Sequence, residues 1–364
     1  MEPYIRNAWY VAAWSDEIEN RPFSRRILGE PVVMFRKSDG TAVALLDRCP
    51  HKLAPLSMGR VIEDRLQCGY HGLEFDGAGQ CVRAPGQPRI PPQARVRSFP
   101  TVERYHALWI WPGDPALADP GLLIDVKKFG EPGWAVAYGG YQYHRASLMT
   151  IADNLQDPAH TTYLHARTIG NPAAGEVPIS LEHGNDEHGR PYVLAYRWTN
   201  DAPPPPIDQK LGNFTGLTDR CQYYYFYPPC VSRVDVVTLT AGQQHTEENM
   251  DRGLRAFSYK FLTPETENRT HFFWMHVRNF RIDDRAFEEE FIRAMSATFE
   301  EDNQMTSAVQ REQEATGVQQ HVWLAIDAGP TRLRRMLERM AEAEKPAAPP
   351  GDPHPASGGS GTWA

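Results

Sequence analysis

"RCPHKLAPLSMG" (Arg48–Gly59) and "QCGYHGLEFDG" (Gln67–Gly77) decide how this chain is read. The first holds Cys49 and His51 as Cys-x-His. After sixteen intervening residues the second holds Cys68 and His71 as Cys-x-x-His. Each stretch offers one thiolate and one imidazole from a short turn, kept tight by Pro50 and Gly69. Zinc accepts two Cys and two His, but structural zinc sites usually take Cys with Cys and His with His. Here each loop supplies one of each. That mixture suits a [2Fe–2S] cluster in which two thiolates hold one iron and two imidazoles the other. Two loops crossing over the cluster bring the like ligands together. Neutral imidazoles in place of charged thiolates raise its reduction potential. Cys81 lies outside the spacing and reads as structural.

The surroundings of these loops read as short strands broken by turns. Pro31–Arg36 and Ala42–Leu46 flank a Ser-Asp-Gly turn. "LEFDGAGQCV" repeats the hairpin pattern, turning at Asp76–Gly79, and "YHALWIWPGDP" ends the region on an apolar strand stopped by Pro-Gly. Residues 1–120 are therefore expected to form an all-β domain, closed by the linker "PALADPGLL". Residues 121–345 read as mixed. Strands are expected at Tyr138–His144, Tyr192–Trp198, Gln222–Phe226, Val234–Leu239, Phe257–Phe261 and His271–Val277, with "PPPP" (Pro203–Pro206) as a loop. Helices are expected around "DNLQDPAHTTYLH" (Asp153–His165), from about Asp284 to Glu314 with Asp283 or Asp284 as cap, and over "TRLRRMLERMAEAEK". The fold class is α+β. Residues 346–364 are rich in Pro, Gly and Ser and read as a disordered tail.

Composition narrows the function. A net charge of −8 disfavours nucleic acid as a partner. No apolar run reaches about 18 residues, which disfavours a membrane span. "MEPYIRNAWYVAAWSDEIEN" has no cationic start and no apolar core, so it does not read as a signal peptide. The odd count of five cysteines then suggests reduced thiols or metal ligands, and a cytoplasmic protein.

A second constellation lies downstream. His160 and His165 fall within six residues. Two His and one carboxylate make the facial triad of non-haem Fe(II) oxygenases, which leaves positions open for O₂ and substrate. "EEDNQM" offers Glu300, Glu301 and Asp302 as the third ligand. At about 100° per residue, Phe291, Met295 and Val309 lie within roughly 20° of Asp302, and Phe299 and Met305 about 60° away. Asp302 thus sits inside an apolar stripe, where a bare carboxylate is costly and coordination removes the cost. Glu301 and Glu300 turn about 100° and 160° away, to the flank or solvent. In an ideal helix His160 and His165 lie about 140° apart, so the helix is expected to be distorted or broken between Pro158 and His165. Asp157 before Pro158 suits a helix cap. It also suits a carboxylate that orients a ligand imidazole. Asn154 and Asp153 are candidates of the same kind, or plain helix surface.

These motifs resemble the oxygenase component of Rieske non-haem iron monooxygenases, in the vanillate O-demethylase and dicamba monooxygenase group. The resemblance runs from "NAWYVAAWSDEI" through the two cluster loops and "DNLQDPAHTTYLH" to "LTPETE" (Leu262–Glu267), "RNF" (Arg278–Phe280), "EEDNQM" and "IDAGP" (Ile326–Pro330). It implies an N-terminal Rieske [2Fe–2S] domain and a C-terminal helix-grip domain, a curved antiparallel sheet against helices. It implies a homotrimer in which one chain's cluster feeds the mononuclear iron of the next, with Asp157 linking His71 of one chain to an iron-ligand histidine of its neighbour. It implies a separate flavin and iron–sulfur reductase that carries electrons from NADH, O₂ as co-substrate, and a small aromatic substrate. O-demethylation of a methoxylated aromatic acid such as vanillate, releasing formaldehyde, is the activity implied. Hydroxylation or N-demethylation of another small ring compound uses the same machinery. A Rieske electron carrier with an inert second site is the rival from another class, and the complete His160, His165 and Asp302 set argues against it. The chain departs from dicamba-type enzymes at Lys260, where they carry a histidine. Lys260 reads either as the partner of an acidic group or as a solvated strand residue.

Overall fold

The computed structural model describes residues 4–212 and 214–345. The tail expected over 346–364 lies outside the described residues. Eleven short strands build the N-terminal unit. β1 (Tyr10–Trp14), β10 (Thr101–Arg104) and β11 (Ala107–Ile110) form one sheet in the order β1-β11-β10. β2 (Phe23–Ile27), β3 (Glu30–Arg36), β4 (Ala42–Leu46) and β9 (Ser98–Phe99) form a second. β5 (Arg60–Ile62), β6 (Arg65–Gln67), β7 (Glu74–Phe75) and β8 (Cys81–Arg83) form a third, which carries the second cluster loop between β6 and β7. Val33, Phe35, Leu45, Leu56, Leu66 and Phe75 make a separate small core beneath the two loops, and Cys49 and Cys68 belong to it.

The C-terminal unit is one antiparallel sheet of seven strands. They are β12 (Ala135–His144), β13 (Ser180–Asn185), β14 (Pro191–Ala202), β15 (Thr218–Tyr227), β16 (Val231–Thr240), β17 (Leu254–Thr266) and β18 (Arg269–Arg278). Their order is β12-β18-β17-β16-β15-β14-β13. α1 (Leu148–Leu155), the single turn α2 (His160–Tyr163), α5 (Arg285–Thr316) and α6 (Ala328–Ala343) accompany it, with short α3 (Pro206–Gly212) and α4 (Glu247–Arg252) in loops. This α+β layout is the one expected. Asp284 caps α5 by accepting the Phe287 N–H.

β13 is absent from the sequence reading. All of "SLEHGN" is exposed, so neither alternation nor β-branching marks it. It forms because β14 offers a free edge, a case of pairing overriding propensity. The apolar stripe of α5 also ends earlier than its wheel indicates. Phe291, Met295, Phe299, Asp302 and Thr306 are buried, whereas Met305 and Val309 are exposed. At 1.5 Å per residue α5 spans about 48 Å, against about 33 Å for the ten-residue β12 on which it lies. Beyond β12 the helix meets the start of α1 through polar side chains, Gln310 accepting from the Ser147 N–H and the Thr150 hydroxyl.

The two units share a core. Trp109 meets Phe261 edge to face, and Trp14 meets Phe273 the same way. Leu28 N–H donates to the Pro264 carbonyl and Thr263 Oγ1 to the Val11 carbonyl, both at 2.7 Å. Gly140 is a point of close packing at this boundary. Trp14 Nε1 donates to its carbonyl from one side, and a Cβ there would lie 2.0 Å from the Trp274 ring on the other.

Candidate functional site

The two cluster loops are built alike. Cys49 N–H donates to the Ala54 carbonyl and Cys68 N–H to the Leu73 carbonyl, each five residues on. Leu53 N–H returns to the Cys49 carbonyl and Gly72 N–H to the Cys68 carbonyl. Leu53 and Gly72 occupy equivalent positions and both have positive φ, 60° and 71°. The turn geometry therefore requires left-handed backbone at the fifth residue of each loop. Asp47 locks the first loop through the Ser57 N–H and hydroxyl. At the end of that loop, Gly59 lies so close to β6 that a Cβ would meet the Gln67 carbonyl at 1.9 Å.

This repeat sorts the ligand types by depth. Cys49 and Cys68 are each 2% exposed. His51 and His71 are exposed, with ring centroids 4.5 Å apart. Burial pushes the Cys49 thiol up, against the pull of backbone N–H groups from His51 and Lys52. A buried thiol pair with an imidazole pair beyond it fits a two-iron cluster whose irons differ in ligand type. Leu53, Met58 and Tyr70 stand exposed at these loops.

The second site lies between α1, α2 and α5. The helix expected over Asp153–His165 is broken. α1 stops at Leu155, α2 is a single turn that stops at Tyr163, and His165 follows it in a turn. The Thr168 and Gly170 N–H groups both close on the His165 carbonyl. The two rings stand 5.2 Å apart. Asp302 Oδ1 lies 3.5 Å from His160 Nε2 and 3.2 Å from His165 Nε2. One ligand atom from each of the three lies within 4.8 Å of the others. That donor set and spacing fit one metal ion.

Electrostatics suits the fit. Burial pushes the His160 imidazole down and keeps it neutral, the form that binds metal. Burial also opposes charge on His165, but Asp302 and Glu301 outweigh it and raise its pKa. For Asp302, His165 and His160 outweigh burial and hold the carboxyl below its usual range.

The neighbours divide the supporting work. Asn154 Nδ2 donates to Asp302 Oδ1 at 3.2 Å, so it faces the site and is not plain helix surface. Asp153 instead pairs with Arg334 on α6. Asp157 turns Oδ1 to the Ala159 N–H at 2.7 Å, while Oδ2 stands 4.0 Å from His160 Nδ1. That nitrogen is buried and has no hydrogen-bond partner among the described residues. Glu301 is the residue the wheel missed. It sits on the flank as expected, yet its Oε2 lies 2.7 Å from His165 Nδ1.

A cavity of about 120 Å³ opens from the triad. Phe291, Met295 and Phe299 of α5 form one wall, and Val234, Val236, Ser258, Lys260 and His276 of the sheet another. Of the two faces of β18, the one bearing His276 lines the cavity, while Phe273 packs on Trp14. Lys260 is 4% exposed, so it is not a solvated strand residue.

Comparison with known proteins covers both domains. Residues 8–100 match the Rieske [2Fe–2S] domain, and residues 144–343 match the vanillate O-demethylase oxygenase C-terminal domain. The chain is 37% identical to a putative toluene-4-sulfonate monooxygenase system iron–sulfur subunit of Comamonas testosteroni, over 93% of this chain and 98% of that one. It is 36% identical to the vanillate O-demethylase oxygenase subunit of a Pseudomonas strain, over 95% and 97%. The crystal structure of dicamba monooxygenase bound to 3,6-dichlorosalicylic acid superposes with a TM-score of 0.86 at 32% identity, covering 94% of this chain and 99% of that one. With a Rieske domain joined to this C-terminal domain, the chain belongs to the vanillate O-demethylase oxygenase family of Rieske non-haem iron oxygenases.

Proposed function

We propose that Cys49, His51, Cys68 and His71 hold the [2Fe–2S] cluster, and that His160, His165 and Asp302 hold Fe(II). The protein then acts as the oxygenase component that O-demethylates a methoxylated aromatic acid. The observation that carries this reading is the three-ligand set opening into an apolar cavity the size of a single ring. The balance is methoxyarene, O₂, NADH and a proton going to phenol, formaldehyde, NAD⁺ and water. A separate flavin and iron–sulfur reductase delivers the NADH electrons. When bound, the cluster supplies the stored electron and the iron the O₂ chemistry. The chain's own work is to hold the ring against the triad, to exclude water with Phe291, Met295 and Phe299, and to fix the ligand imidazoles.

Electron delivery follows from the exposed imidazoles. In a homotrimer, His71 of one copy docks at Asp157 of the next, and the apolar rim of Leu53, Met58 and Tyr70 is covered. Asp157 keeps an oxygen free of capping and turned toward His160, which suits a bridge. The working compartment is the cytoplasm; no helix among the described residues is long and apolar enough to cross a membrane.

O₂ uptake with a reductase, paired with a formaldehyde assay across methoxybenzoates and methoxybenzenesulfonates, tests the reading. One formaldehyde per O₂ is expected. Uptake without formaldehyde moves the assignment to hydroxylation. This second reading is favoured by the two relatives named for toluene-4-sulfonate, at 37% and 36% identity. No uptake with mononuclear iron loaded removes the oxygenase reading.

Glu301 gives a further expectation. Glu301→Gln leaves the wheel position and the size intact but takes the charge from His165 Nδ1. Affinity for the mononuclear iron should fall by about 10- to 100-fold, with the cluster spectrum unchanged. Iron titration of the metal-depleted second site measures it, and an unchanged affinity makes Glu301 a bystander.

A further inference from the structure

Three polar groups on one face of the sheet line the cavity, and two of them have no hydrogen-bond partner among the described residues. Lys260 on β17 is buried, and Nζ reaches only the Ser258 carbonyl, at 3.5 Å, and the face of the Phe299 ring, at 5.4 Å. Among the described residues no carboxylate pairs with it. Ser258 stands two residues earlier on the same face, and His276 lies directly opposite Ser258 on β18. Ser258 Oγ and His276 Nδ1 are buried and have no hydrogen-bond partner among the described residues. The wall around them is mostly apolar; Arg220 also lines the cavity, but its guanidinium is paired with Asp208. A buried ammonium with two idle polar groups beside it is costly unless a ligand completes the set. Asp302, the charged group that acts on Lys260, lines the same cavity without touching it, so a ligand placed between them is held at one end and presented to the triad at the other.

We propose that Lys260, Ser258 and His276 form a receptor for the anionic head of the substrate, and that this receptor fits an arenesulfonate better than a benzoate. This rests on the reading of the cavity as the substrate site. The three groups are separate single-point donors standing on one face of the sheet. A tetrahedral sulfonate directs three oxygens toward such a surface as a tripod. A planar carboxylate has two oxygens and suits a planar fork such as guanidinium. The electrostatics agrees: burial pulls the empty Lys260 amine down to about 7, with Asp302 opposing, so an anion beside it restores its full charge. His276, held neutral by burial, keeps one N–H to donate.

The test is binding without turnover. Calorimetry on the oxidised holoenzyme compares 4-methoxybenzenesulfonate, 4-methoxybenzoate and the neutral 4-methoxyphenyl methyl sulfone. A hydrogen bond to a charged group is worth roughly 10- to 100-fold in affinity. The sulfonate should therefore bind about 100-fold tighter than the sulfone and about 10-fold tighter than the benzoate. Lys260→Met should abolish the preference of sulfonate over sulfone while sulfone affinity stays within about 3-fold, and Ser258→Ala should narrow the gap between sulfonate and benzoate. Equal binding of sulfonate and sulfone by the native protein overturns the anion receptor. Benzoate binding as tightly as sulfonate overturns the three-oxygen fit. Tight sulfonate binding without formaldehyde release leaves this receptor standing and removes O-demethylation instead.

Discussion

Asp302→Ala is expected to bring turnover to the background of the assay while the cluster's EPR signal persists. The carboxylate is the only anion among the three ligands, and its Oδ1 is the atom nearest both imidazoles. Without it, two neutral rings remain, too few and too weak for Fe(II). Iron analysis should fall from three atoms per chain to two, those of the cluster. The fold should survive, because alanine is the best helix former and the change removes a buried charge from the middle of α5. Retained mononuclear iron would mean that another group completes the site. Loss of the cluster signal would mean that Asp302 serves the fold as a whole.

The second large effect is expected at Asp157, and two substitutions separate its two duties. Asp157→Asn keeps an oxygen for the Ala159 N–H, so stability should be unchanged. The amide cannot act as a charged bridge to an imidazole, and steady-state turnover should drop by about 100-fold with both metal sites loaded. Asp157→Ala should be equally slow and also lose about 1 kcal/mol from the missing cap. Stopped-flow reoxidation of the reduced cluster in the presence of substrate and O₂ locates the defect. Native-like reoxidation in the Asn variant would reduce Asp157 to a capping residue and remove the bridge from the proposed trimer.

Much of this was legible along the chain because metal ligation has strict local demands. Cys49, His51, Cys68 and His71 are spaced by the needs of two tight turns, and spacing is visible without a fold. Asp302 showed itself as a charge in an apolar stripe, and the awkward interval between His160 and His165 announced a broken helix. Other residues left no such trace. Glu301 is one bond from the site, yet a helical wheel reports direction and not what stands in that direction. Lys260 reads as ordinary in a strand until β18 brings His276 opposite Ser258 and α5 covers the face. β13 exists only because β14 has an open edge.

The sequence by itself therefore pointed to the two candidate ligand sets, the order of the domains and the period of each main element. These depend on separations of a few residues, where backbone geometry leaves little choice. The tertiary structure alone decided which oxygen of Asp157 caps and which faces His160, that Glu301 meets His165, and that Lys260 meets no carboxylate among the described residues. The second depends on surfaces that meet across a separation of 136 residues, the turn after α2 and the helix α5. Burial then sets their energetics, because a charge or a hydrogen-bonding group is costly only once water has been excluded from it.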